Sequence, residues 1–285
     1  MPMHPAAPDE LHAMIDAFEG IVTAVIDLGS SCHDADFDRP TECPGWTVKD
    51  QISHIVGAEK RLAGAPSPRA EVPDYPHIRN KMGLIIEQDV EARRHVPGPE
   101  VVAELAAYLP ERMAQLREEQ SLDVVIGGFF GPETTLGEQL TKRIMDLWTH
   151  EQDIRAALDR PGDLDSPAAA VFVAGLFRAL PRIVARVAGV RPGHAVIIDV
   201  TGPLMAREGV RVKDGEDGRP YGEPLFSGQD RPEGDDQLDV TTIHLTTEAL
   251  TRRAAGRRTT DEVSYTVTGN EDTARAVLDA LVIMQ

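Results

Sequence analysis

Asp146 and His150 stand four residues apart in the run Arg143–Ile–Met–Asp–Leu–Trp–Thr–His–Glu–Gln–Asp–Ile–Arg155. On a helix that spacing stacks both side chains on one face, where two ligands can grip a single ion. His54 falls on a second expected helix and could face the same interior. Imidazole nitrogen and carboxylate oxygen suit zinc or a similar divalent metal, and three protein ligands leave a fourth position open for chemistry. Spacing alone does not choose between such a site, a structural pair and a solvated helix face.

Other residues near these have plainer readings. Trp46 follows Pro44–Gly45 and is expected to pack the entrance of a helical bundle, with a substrate or cofactor contact as the sharper alternative. Glu59 could orient a ligand, but it lies five residues past His54, on another part of the helix, which favours a surface role. Glu151 and Asp153 read as ion-pairing groups, or as carboxylates that accept the second N–H of a metal-bound histidine. Trp148 reads as core. Cys43 has no basic neighbour and reads as an inert thiol. No phosphate-binding loop, dinucleotide fingerprint or Ser-containing elbow is present.

These residues need helices to hold them. Apolar residues at three- and four-residue steps predict an amphipathic helix over residues 9–28. Thr47 and Asp50 form a capping-box-like start for the helix that carries His54, ending near residue 63. A Pro-rich loop over 66–76 leads to a helix over 78–94 and another from about residue 99, which Pro110 should kink or interrupt. Gly127–Gly128–Phe129–Phe130–Gly131–Pro132 reads as a loop, and a long helix over 136–158 carries Asp146 and His150. The sum is a bundle of four main helices with elaborations.

Pro, Gly and Asp then cluster over 159–167, the expected linker. Beyond it the pattern becomes α+β. A helix over 167–188 precedes strand-like runs at 194–201 and near 210–212. The acidic stretch 213–239, rich in Gly and Pro, reads as one long loop. A strand over 240–245, a helix over 248–255, a strand over 263–268 and a helix over 272–282 complete the pattern.

Two of these segments resemble a known family. Pro44–Gly–Trp–Thr–Val–Lys–Asp–Gln–Ile–Ser–His–Ile–Val–Gly–Ala–Glu59 resembles the N-terminal motif of the mycothiol-dependent maleylpyruvate isomerase family. The run from Asp146 to Arg155 resembles that family's second motif, at the expected separation. The resemblance implies an α+β fold, with a DinB-like metal-binding four-helix bundle over residues 1–160 and a sterol-carrier-like α/β domain over 167–285. It makes His54, Asp146 and His150 the zinc ligands. The family pattern has Glu where Asp146 stands; the shorter side chain could pull the metal towards the helix or change its coordination. Gly256–Arg257 resembles a Gly–Arg step of the family, so Arg257 could anchor an anionic thiol or substrate across the domain interface, or could simply be a solvated helix-end cation.

The implied chemistry is that of mycothiol, or a similar low-molecular-weight thiol, acting as cosubstrate on a small electrophile. Isomerisation and S-transfer both fit it. A metal-dependent hydrolase and a non-catalytic zinc-containing protein that binds a small molecule or lipid are the rival readings. Composition narrows the partners. The chain has 285 residues and 29 basic against 47 acidic side chains, a net charge of −18. So acidic a chain, with no basic stripe, is a poor binder of phosphate backbones, which argues against nucleic acid. The longest apolar stretch, 168–177, is short for a bilayer, and the first ten residues lack the pattern of an export signal. Two cysteines, Cys32 and Cys43, could pair, but such sparse usage suits a reducing, cytoplasmic setting.

Overall fold

A computed structural model describes residues 3–128, 132–226 and 238–284. The chain divides into two compact units, Pro8–Gly162 and a second made of Met1–Ala7 with Asp163–Gln285. The fold is α+β, with the helices of the first unit followed by the mixed second unit.

The first unit contains α1 (Leu11–Ser30), α2 (Val48–Leu62), α3 (Lys81–Glu91), α4 (Gly98–Glu118) and α5 (Leu136–Leu158). Contacts of α1 with α4 and α5, and of α2 with the same two, close four helices into a ring. α3 packs on the outside of α2. This arrangement surrounds α2, and every residue from Val48 to Glu59 except Lys49 is buried. Its start is the capping box expected from the sequence: the Thr47 hydroxyl accepts from the Asp50 N–H while the Asp50 carboxylate accepts from the Thr47 N–H.

α4 runs without interruption through Pro110. The missing N–H deprives Ala106 of its helical partner, but Ala106 is exposed and water can serve its carbonyl. A two-residue antiparallel pair, β1 (Val125–Ile126) with β2 (Thr134–Thr135), sets off the start of α5, an element absent from the sequence reading. Of the glycine-rich loop around it, residues 129–131 lie outside the described residues. α5 ends at Asp159, which adopts the left-handed conformation that Asp tolerates better than most residues.

The second unit carries α6 (Pro167–Arg182), β3 (His194–Thr201), β4 (Met205–Asp214), β5 (Pro220–Pro224), β6 (Asp239–Leu245), α7 (Thr247–Ala254), β7 (Tyr265–Thr268) and α8 (Glu271–Ala280). The strands form one sheet in the order β5-β4-β3-β6-β7, with β3 and β6 parallel and the other neighbours antiparallel. α6 packs on β4 and β5, α7 on β3, and α8 on β6 and β7. β5 corrects the single-loop reading of 213–239: its register against β4 pairs Lys213 with Tyr221, and Lys213 Nζ meets Glu223 Oε2 at 2.7 Å. Residues 227–237 of that stretch lie outside the described residues.

α6 continues through a π turn, Ile183–Val187. By length and composition alone Pro167–Val187 is long and apolar enough to cross a membrane. Its apolar residues are instead the core of this unit, with Phe172, Val173, Leu176 and Leu180 fully buried. A fully apolar buried side of this kind belongs equally to a core helix. Cys32 and Cys43 are not joined in a disulfide.

Candidate metal centre

α2 presents His54 and α5 presents Asp146 and His150 to one place inside the first unit. His54 Nε2 lies 3.3 Å from Asp146 Oδ2, and His150 Nε2 lies 3.4 Å from Asp146 Oδ1. One ligand atom from each residue falls within 4.8 Å of the others, a separation that a single ion can bridge. The two histidines are buried, while the Asp146 side chain keeps 27% of its exposure. The carboxylate is therefore the member of the group that meets solvent.

The donor set fits a divalent metal. Burial pulls the His54 imidazole down to about 4, more strongly than Asp146 lifts it. His54 is consequently neutral at pH 7, the form in which a ring nitrogen can ligate. His150 is also opposed by burial, but the Asp146 charge and bonds to Asp146 and Asp153 raise it. Asp146 is likewise opposed by burial, yet His150 and Arg143 hold its carboxyl well below the usual range. Behind the site, His150 Nδ1 faces Asp153 Oδ2 at 3.6 Å, the side on which a ligating histidine commonly meets a carboxylate. His54 Nδ1 is buried with no hydrogen-bond partner among the described residues, so its Nε2 face carries the polar contact seen there.

Trp46 walls the group. Its ring centroid lies 5.1 Å from that of His54 and 5.7 Å from that of His150, while the two imidazoles meet edge-on at 4.6 Å. The indole is pinned from behind: Trp46 Nε1 donates to Glu87 Oε2 at 2.8 Å. Glu87 is buried and also receives Arg94 Nη2 at 2.7 Å and meets His77 Nε2 at 2.9 Å. Gly45 makes this wall possible. Its φ of +81° is open to glycine, and a Cβ there would lie within 2.2 Å of the His77 ring.

A second ion ladder supports Asp146. Arg143 Nη1 donates to Asp146 Oδ2 at 2.5 Å, and its Nε and Nη2 donate to Glu59 Oε1 at 2.9 and 2.8 Å. Glu59 is therefore not the surface residue its helical angle suggested: it is 1% exposed, because α4 and α5 both cover α2 and supply arginines to meet it.

Residues 18–155 match the mycothiol maleylpyruvate isomerase N-terminal domain. The first unit of the chain is thus similar to that family's N-terminal domain. Two uncharacterised proteins from strains of Mycobacterium tuberculosis are each 28% identical to it over 124 residues, 42% of this chain and 46% of theirs. The chain thus matches about half the length of these curated relatives. Crystal structures of the mycothiol-dependent maleylpyruvate isomerase share the fold. A histidine-to-alanine mutant aligns at a TM-score of 0.51 with 16% identity, covering 91% of this chain and 94% of that one. A second structure gives 0.50 with 17% identity and the same coverage.

Within the matched stretch the structure brings together four of the five residues expected to hold metal, cofactor or substrate: His54, Asp146, His150 and Trp46. The fifth, Arg257, lies in the second unit just past α7, where its N–H donates to the Arg252 carbonyl and its Nη1 to the Ala255 carbonyl. Sequence reasoning missed Glu87, Arg94 and Arg112, and it gave Arg143 no role. Arg143 stands three residues before Asp146, a spacing that could have revealed it. Glu87 had no such signal, since its partners lie as far as 41 positions away. Trp148 and Asp153 are core and supporting residues as expected, and Glu151 pairs with Arg155 at 2.7 Å.

Proposed function

We propose that this protein is a metal-dependent enzyme that uses mycothiol or a similar low-molecular-weight thiol on a small electrophilic substrate, by isomerisation or S-transfer. The observation that carries this reading is the convergence of His54, Asp146 and His150 in a stretch similar to the N-terminal domain of the mycothiol maleylpyruvate isomerase family. These three side chains would hold the ion, with zinc the best match to two imidazoles and one carboxylate. A divalent ion with an open position supplies Lewis acidity that favours the deprotonated form of a thiol.

The chain's own groups do the rest. His54, kept neutral by burial, offers a ring nitrogen without first losing a proton. Asp146 supplies the negative charge and the solvent-facing edge of the group. Trp46 covers both imidazoles and excludes water from one side, which strengthens electrostatic interactions there. Arg257 serves in this proposal as a cationic anchor for an anionic thiol or substrate, a role that rests on the Gly256–Arg257 step. A thiol cosubstrate also implies a reducing, cytoplasmic setting.

The test follows the loss of small electrophilic alkenes and activated halides with zinc-loaded protein, with and without thiol. Loss that requires both zinc and thiol is expected. Loss that requires zinc but ignores every thiol would replace this reading with that of a hydrolase. Ligand binding without turnover, with or without zinc, would favour a carrier.

A further inference from the structure

Arg143 is a buried cation that no metal ligand set requires, yet its guanidinium is committed to two carboxylates. Nε and Nη2 grip Glu59 Oε1, and Nη1 grips Asp146 Oδ2. The other oxygen of Glu59 accepts from Arg112 Nε at 3.1 Å. From Arg112 to Asp146 the charges therefore alternate, and the first three groups are each under a tenth exposed. Buried charges in such a ladder are costly to desolvate and are held by geometry, so each fixes the next in place. A planar guanidinium suits this task because its five N–H groups leave in a rigid fork.

We propose that Arg143 is a positioning residue for the metal centre. By taking Asp146 Oδ2, which also meets His54 Nε2 at 3.3 Å, it orients the carboxylate so that Oδ1, 3.4 Å from His150 Nε2, is the oxygen left for an ion. Glu59 and Arg112 hold Arg143 in that pose, so the ladder reaches across three helices to a single ligand atom. This inference rests on reading His54, Asp146 and His150 as metal ligands.

Cobalt(II) titration of the full-length metal-free protein tests it, because the visible bands of the bound ion report the ligand arrangement. Arg143→Met should weaken cobalt binding about 10- to 100-fold, the range for loss of a group that orients a ligand, and should change the band pattern. Arg143→Lys should recover part of the affinity, since an ammonium keeps the charge but cannot span both carboxylates. Glu59→Gln should shift both readouts in the same direction by less.

A folded Arg143→Met protein, checked by circular dichroism, that binds cobalt with wild-type affinity and spectrum would overturn the proposal. Should that variant not fold, Glu59→Gln, which keeps the side-chain shape, decides by the same two readouts. Wild-type protein that binds no cobalt would instead overturn the metal-site reading itself.

Discussion

His54 and Asp146 are 92 positions apart in the chain, yet His54 Nε2 sits 3.3 Å from Asp146 Oδ2. Nothing local joins them. The packing of α2 against α5 does so, and each helix is fixed at its start by a threonine whose hydroxyl accepts a backbone N–H. The candidate metal centre thus depends on helix registration set ten or so residues away.

Thr47 offers a direct measure of that dependence. Thr47→Ala removes one half of the capping box and leaves the Asp50 N–H without its partner. Urea unfolding should show a loss of about 1 kcal/mol, the usual cost of an N-cap threonine. Thr47→Ser should recover most of it, because the hydroxyl is what the cap requires.

Glu87 should matter more, although it touches no expected ligand. It is buried and accepts from Trp46 and Arg94 while meeting His77. Burial opposes its ionisation, but bonds from His77, Trp46 and Arg94 outweigh it and lower the carboxyl. Glu87→Ala should cost about 3–5 kcal/mol, the range for stranding a buried ionic partner. Loss of the Trp46 tether should also alter tryptophan fluorescence. The chain has two tryptophans, so a Trp148→Phe background isolates the signal.

The pH dependence of folding has one clear contributor in Glu104. Arg93 forks onto both of its oxygens at 2.8 and 2.9 Å, and with help from Lys60 it overcomes burial and holds the carboxyl at about 2. A carboxyl lowered on folding stabilises the protein above its ordinary value of 4.5 and loses that contribution as pH falls towards about 2. Glu104→Gln should therefore cost about 1–2 kcal/mol at pH 7, an allowance for partial exposure included. At pH 3 the wild type and the variant should differ by clearly less, as denaturant titrations at the two pH values would show.

The elements that carry the site were legible in the sequence, and their supports were not. The α5 bounds follow from the glycine-rich loop before it and the Pro–Gly break after it, and the α2 start follows from Thr47 and Asp50. Spacing within one helix exposed Asp146 and His150 as a pair, but only resemblance attached His54 to them. Glu59 was misplaced because a helical angle says where a side chain points, not what covers it. Here α4 and α5 bring Arg112 and Arg143 over that side. β5 was missed for a related reason: its composition is that of a loop, and its extended form comes from pairing with β4.

The most direct test of the account is the zinc content of the full-length protein after equilibration with zinc and removal of the unbound ion. One zinc per wild-type chain is expected, with near-complete loss in His54→Ala and in His150→Ala. Cys43→Ala should retain the metal, because the expected ligands lie on α2 and α5 and this thiol precedes them both. Circular dichroism is the check that the variants remain folded. Equal zinc in the wild type and both histidine variants would contradict the account, since the ion would then be held elsewhere.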